Sequence, residues 1–135
     1  MKNQNSQNLR AIKIDAERQQ VYEILLTDDF RDIYEAIGLN CTTFECPQSI
    51  VRDGRVNTIY VDEEALLTYF GEPKGKYYFE LKPSDMYTNP YMENLYVNNA
   101  IILGVDMETG DSISTNLLRE EVADLIDGWG LIAVQ

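Results

Sequence analysis

The chain has 135 residues, 44% of them hydrophobic and 25% charged, the composition of one globular domain rather than a disordered or fibrous chain. Asp and Glu number 23 against 11 Lys and Arg, a net charge of −12 that repels nucleic acid and anionic membranes and attracts basic partners. Histidine is absent, which removes the commonest general base and the commonest transition-metal ligand together.

The first eight residues, MKNQNSQN, are polar after Met1 and read as a disordered tail with no secretory h-region. No run approaches the ~20 apolar residues of a membrane span, so the cytoplasm is the expected compartment, the host cytoplasm for a phage-encoded chain. Residues 9–135 read as one domain. Leu9 to Ile14 and Gln20 to Leu26 predict a hairpin of two strands across a polar break. Thr27, Asp28 and Asp29 offer N-caps to a helix whose apolar face is Phe30, Ile33, Tyr34 and Ile37, ended by Gly38.

Asn40 to Cys46 reads as a strand ended by Pro47, and Val56 to Val61 as another after the turn Arg52-Asp53-Gly54-Arg55. Tyr77 to Leu81 predicts a short strand. Lys82 to Tyr96 reads as a long loop rich in Pro, Asn, Tyr and Met. Ala100 to Val105 then forms an apolar run short enough for a buried strand, broken by Gly104. Gly110 closes a tight turn, a short return strand follows, and Leu118, Val122, Leu125 and Ile126 mark a helix that Gly128 stops. Trp129 and Leu131 to Val134 complete the chain as an edge strand or a packed tail. This order lacks the alternation of a parallel α/β fold. It predicts a single α+β domain, with a mixed, mostly antiparallel sheet and two helices packed on one face of it.

Little of this pattern spells chemistry. Cys41 and Cys46 have no further cysteine or histidine to complete a zinc site, and they read as two buried, reduced thiols. Asp106, Glu108 and Asp111 resemble a calcium loop, but the glycine falls one place early and position twelve is Leu117. Asp62-Glu63-Glu64 could hold Mg²⁺ with Asp106 or Asp85, yet no phosphate loop or arginine pair accompanies them. No catalytic residue, metal or cofactor is therefore expected. Nine tyrosines are more conspicuous, five of them between Tyr77 and Tyr96. They either pack on the sheet or, if exposed beside Glu80, Asp85 and Glu93, suit a basic protein surface.

The segments TIYVDEEALL (Thr58–Leu67), YYFEL, NNAIILGVDMETGDSIS (Asn98–Ser114) and LLREEVADLI resemble a small domain of bacteriophages and other mobile elements, family 3846 of the domains of unknown function. The resemblance spans Leu9 to Ile126, with Ala65 in place of the family's usual Gly after the acidic pair and Asn99 in place of a small residue or Gly before the strand. It implies a mobile-element origin and an accessory role, and it supplies no catalytic residues. The leading expectation is a non-enzymatic acidic protein that binds and modulates a host protein, basic or nucleic-acid-handling, including as a nucleic-acid mimic that inhibits host defence. Its expected contacts are Glu120, Glu121, Asp124, Asp127, Tyr87, Tyr91 and Tyr96. The alternatives are a small-molecule or nucleotide-binding module walled by Tyr77–Tyr96, and a carboxylate metal-dependent enzyme.

Overall fold

A computed structural model describes residues 8–27, 29–38, 41, 43–64, 68–69, 72–73, 76–89 and 95–132. The elements, in chain order, are β1 (Leu9–Asp15), β2 (Gln20–Leu26), α1 (Phe30–Ile37), β3 (Phe44–Arg52), β4 (Arg55–Asp62), β5 (Thr68–Tyr69), β6 (Glu72–Pro73), β7 (Tyr77–Leu81), β8 (Leu95–Val97), β9 (Ala100–Val105), β10 (Ser112–Ile113), α2 (Arg119–Leu125) and β11 (Ile126–Leu131). The main sheet has the order β2-β1-β9-β4-β3, with β10 joined to the end of β9. A smaller sheet has the order β11-β7-β8. Every described strand pairing is antiparallel. The fold is a single-domain α+β fold.

The centre of the main sheet explains the apolar run. Ala100 and Ile102 of β9 enter one core, while Ile101 and Leu103 enter a second core on the opposite face. A strand buried on both faces has no polar side to alternate with, so it reads as continuous hydrophobicity. Gly104 lies where a Cβ would meet the Ser114 carbonyl oxygen at 2.6 Å, so the chain after β10 crosses close over β9.

The two faces are covered differently. Ile33 and Ile37 of α1 pack with Leu9, Ala11, Leu26, Tyr60, Ile101 and Leu103. Asp29 caps α1, its carboxylate accepting from the Arg31 amide at 2.9 Å, and Gly38 closes it at φ +81°. The other face buries Ile12, Ile14, Ile50, Ile59 and Ile102 against Phe79 and Leu81 of β7 and Val122 and Leu125 of α2. The two expected helices therefore do not share one face: α1 covers one face of the main sheet, and α2 with the smaller sheet covers the other.

Three predicted boundaries are corrected. Pro47 does not end a strand: β3 runs through it to Arg52, and the register against β4 shifts between Glu45 and Gln48. A bulge on an edge strand is where the absent proline N–H disturbs no ladder bond. Gly128 does not stop a helix, because α2 ends at Leu125 and Ile126 is already extended. Gly128 pairs with Glu80 inside β11, and Gly130 lies against the Tyr78 ring, where a Cβ would stand 2.4 Å from it. The 82–96 stretch is not wholly loop, since β8 pairs with β7 and Tyr87 bridges to Ile50. Of the expected N-terminal tail, residues 1–7 lie outside the described residues, as do residues 133–135 of the apolar C-terminal run.

A buried polar cluster fastens α2 to the sheet. Asn57, fully buried in β4, donates from Nδ2 to the Ile50 carbonyl at 3.2 Å and to Asn116 Oδ1 at 2.9 Å. Its Oδ1 accepts from the Thr115 hydroxyl at 2.7 Å. Arg10 of β1 donates to the carbonyls of Thr115 at 3.1 Å and Leu117 at 2.6 Å. Asn57→Ala strands these buried groups and is expected to cost about 2–4 kcal/mol in denaturant unfolding. An unchanged unfolding midpoint would contradict that account of the cluster.

Candidate functional site

Seven residues of α2 present three kinds of surface. Val122 and Leu125 point into the core. On one flank Glu121 is fully engaged: Oε1 accepts from the Leu118 amide at 2.8 Å and Oε2 from Arg52 Nε at 2.9 Å. The outer side carries Glu120 and Asp124, both exposed, and Asp127 is exposed just beyond in β11. Arg119 and Ala123 lie on the remaining flank and face the β1–β2 turn across a groove.

Arg52 carries the acidic side onward. Its guanidinium also approaches the Asp53 carboxylate at 3.4 Å. Asp53 lies in the β3–β4 turn, which faces the β9–β10 turn across an open groove of about 430 Å³ lined also by Arg55, Asp106, Met107 and Glu108. Met107 is 71% exposed there. Asp106 Oδ1 accepts from the Glu108 amide at 2.9 Å, and Gly110 takes φ +80° to return the chain. These carboxylates come from turns distant in sequence, brought together because Val56 of β4 pairs with Val105 of β9.

The expected site residues divide. Glu120, Asp124 and Asp127 are exposed, whereas Glu121 is tied to Arg52. Tyr87 and Tyr96 are buried core residues, 5% and 6% exposed, so their rings pack on the sheet and present no contact surface. The Tyr87 hydroxyl donates to the Lys82 carbonyl, and the Tyr96 ring packs on Phe79 at 5.4 Å. Tyr91 lies outside the described residues. Tyr96 also lines a small cavity of about 90 Å³ with Glu45, Asp62 and Glu63. Asp62 and Asp106 are not neighbours. They follow opposite ends of the β4–β9 ladder, whose register runs from Val56↔Val105 to Val61↔Ala100. That separation is roughly 20 Å at strand rise. Among the described residues no group of three or more His, Cys, Asp or Glu side chains could hold a metal ion. No described helix is long and apolar enough to cross a membrane.

The second groove has the opposite character. It holds about 720 Å³ between the β1–β2 turn, the flank of α2 and β11, and its walls include Arg18, Gln20, Arg119, Ile126 and Trp129. Trp129, the single tryptophan, is half-buried with its inner side toward Phe79, ring centroids 6.4 Å apart. Neither arginine nor the tryptophan was among the expected contacts. The one available signal was that Arg119 is the sole base after Pro83. No family model matches the chain, and no curated protein and no solved structure matches it.

Burial pushes the phenols of Tyr87 and Tyr96 up to about 12. The native state keeps them neutral while the unfolded chain ionises near 10, so stability is unaffected below pH ~10 and falls as pH rises toward ~12. Desolvation raises the Tyr60 phenol as well. Absorbance titration should show late phenols, Tyr87 and Tyr96 among them, whose ionisation coincides with unfolding; native ionisation of every tyrosine near pH ~10 would refute it. The cysteines also differ, correcting the expectation of two buried thiols. Cys41 is buried and its thiol donates to the Thr43 carbonyl at 3.3 Å, while Cys46 is exposed on β3. Desolvation, then the Glu45 charge, raises the Cys46 thiol above its ordinary range. A thiol reagent should modify Cys46 alone in the native protein, slowly at neutral pH and faster as pH rises. Equal native labelling of both thiols would contradict this assignment.

Proposed function

We propose that this chain is a non-enzymatic, acidic accessory protein of a bacteriophage or mobile element that acts in the host cytoplasm by binding and modulating a host protein. The observation that carries the reading is spatial. Arg52 pairs with both Glu121 of α2 and Asp53 of the β3–β4 turn, so the helix that exposes Glu120 and Asp124 is tied to the groove of Asp53, Asp106 and Glu108, where Arg55 is turned to the Ser114 carbonyl. A net charge of −12 adds a long-range field that steers a basic partner toward that side. The exposed Met107 supplies an apolar contact inside the acidic rim, as interface cores require. A partner that handles nucleic acid fits this chemistry, since spaced carboxylates can occupy the arginine and lysine positions that phosphates otherwise fill. Inhibition of a host defence nuclease by such mimicry is the specific form of the proposal. The resemblance of the Thr58–Leu67 and Asn98–Ser114 segments to a mobile-element domain supports the origin.

Affinity capture from nuclease-treated bacterial lysate, at low and at high salt, tests it with two variants. One carries Glu120→Gln, Asp124→Asn and Asp127→Asn, the other Asp53→Asn and Glu108→Gln. A specific basic partner should be recovered at low salt, lost at high salt and weakened at least about tenfold by one or both variants. Retention at wild-type affinity by both variants, or capture indifferent to salt, would overturn the acidic interface.

A further inference from the structure

We propose that the groove between the β1–β2 turn, α2 and β11 is a binding site for a nucleoside monophosphate, a planar ring joined to one phosphate. This site is independent of the acidic interface and lies on the other flank of α2.

The argument starts from where the arginines go. Arg10, Arg31, Arg52 and Arg55 are each held by a carboxylate or by backbone carbonyls on the protein surface or in the sheet. Arg119 makes no hydrogen bond or ion pair with another described residue, although acids outnumber bases two to one in this chain. It projects into a groove instead. Arg18 lines the same groove and makes a single contact, at 3.4 Å, with buried Asp15, which leaves most of its guanidinium fork open. Two guanidinium groups facing one concavity repel each other unless an anion comes between them, and the planar fork matches phosphate oxygens in pairs.

The rest of the groove specifies what the anion is attached to. Trp129 packs beside Phe79, its partner across the β11–β7 ladder, and lines the groove, where Ile126 continues the apolar wall. An indole that lines a groove is a platform for a flat heterocycle. Gln20 adds an amide able to donate and accept at a ring edge. A volume of about 720 Å³ falls within the ~300–1,000 Å³ of small-ligand sites and admits one nucleotide. A longer nucleic acid is disfavoured, because each further phosphate meets the field of a −12 protein with no further arginine in the groove walls.

Trp129 is also the reporter, because it is the only tryptophan and lines the groove. The full chain is titrated with adenosine and guanosine 5′-monophosphate, inorganic phosphate, adenosine and a short single-stranded oligonucleotide. Trp129 emission and the indole N–H resonance are recorded together. A monophosphate should give a saturable change below ~1 mM, with phosphate alone and adenosine alone at least about tenfold weaker. Arg119→Ala, which removes an exposed side chain from α2, should weaken the monophosphate at least tenfold while leaving the thermal midpoint unchanged. Arg18→Gln should do the same to a lesser degree. The absence of a saturable response to either monophosphate in both signals would overturn the proposal. So would equal binding by Arg119→Ala, or tighter binding of the oligonucleotide than of the monophosphates.

Discussion

The buried amide of Asn57 is the constraint on which the rest of the molecule turns. A sheet strand at its position would otherwise carry an apolar side chain into the core. Instead the amide holds Thr115 and Asn116, and Arg10 holds the carbonyls of Thr115 and Leu117 from the neighbouring strand side. These bonds fix the segment that leads into α2 before any helical residue is reached. Polar groups buried without water are costly unless every one finds a partner, so the cluster tolerates few alternative placements of that segment. The direction of α2, and with it the two surfaces on its flanks, follows from this small set of amides and carbonyls. Gly104 completes the arrangement by letting the chain at Ser114 pass within contact of β9.

A helix of seven residues then divides two electrostatic environments. Toward β3 its Glu121 carboxylate is joined to Asp53 of the β3–β4 turn through Arg52. On the side toward β2 its first residue, Arg119, faces Arg18 across a groove. The helical repeat alone accomplishes this, since residues three or four apart share a side and adjacent residues do not. The net charge of the chain describes neither side. It sets the far field, while the placement of a few arginines sets what can approach closely.

How much of this the sequence shows depends on the range of the interactions responsible. The β1–β2 hairpin, the capped helix α1, the buried strand β9 and the Gly110 turn are all legible because periodicity, caps and left-handed glycines are local. The register of β3 through Pro47 was hidden because a bulge is set by the partner strand and not by the residues themselves. The end of α2 was misplaced for a similar reason. Ile126 satisfies the helical spacing, yet pairing with Leu81 takes it into a strand. Tyr87 and Tyr96 could equally have been surface or core until the smaller sheet was seen to close over them. Arg18 and Arg119 are about a hundred residues apart, so only tertiary structure brings them to one groove.

The place of β9 between β1 and β4 has a consequence for how the chain comes to be folded. The hairpins β1–β2 and β3–β4 can form as soon as their residues are available, but the strand that joins them is not synthesised until residues 100–105. Until then β1 and β4 each expose an inner edge of unpaired amides and carbonyls, flanked by Ile12, Ile14 and Ile59 of one later core and Leu9, Ala11 and Tyr60 of the other. Closure depends on contacts spanning most of the chain, which makes for a high contact order and slow docking of the central strand. During translation the nascent protein therefore passes through a stage with two half-sheets and an open seam. That seam is a match for any passing strand, and its lifetime is set by the time the ribosome takes to deliver β9.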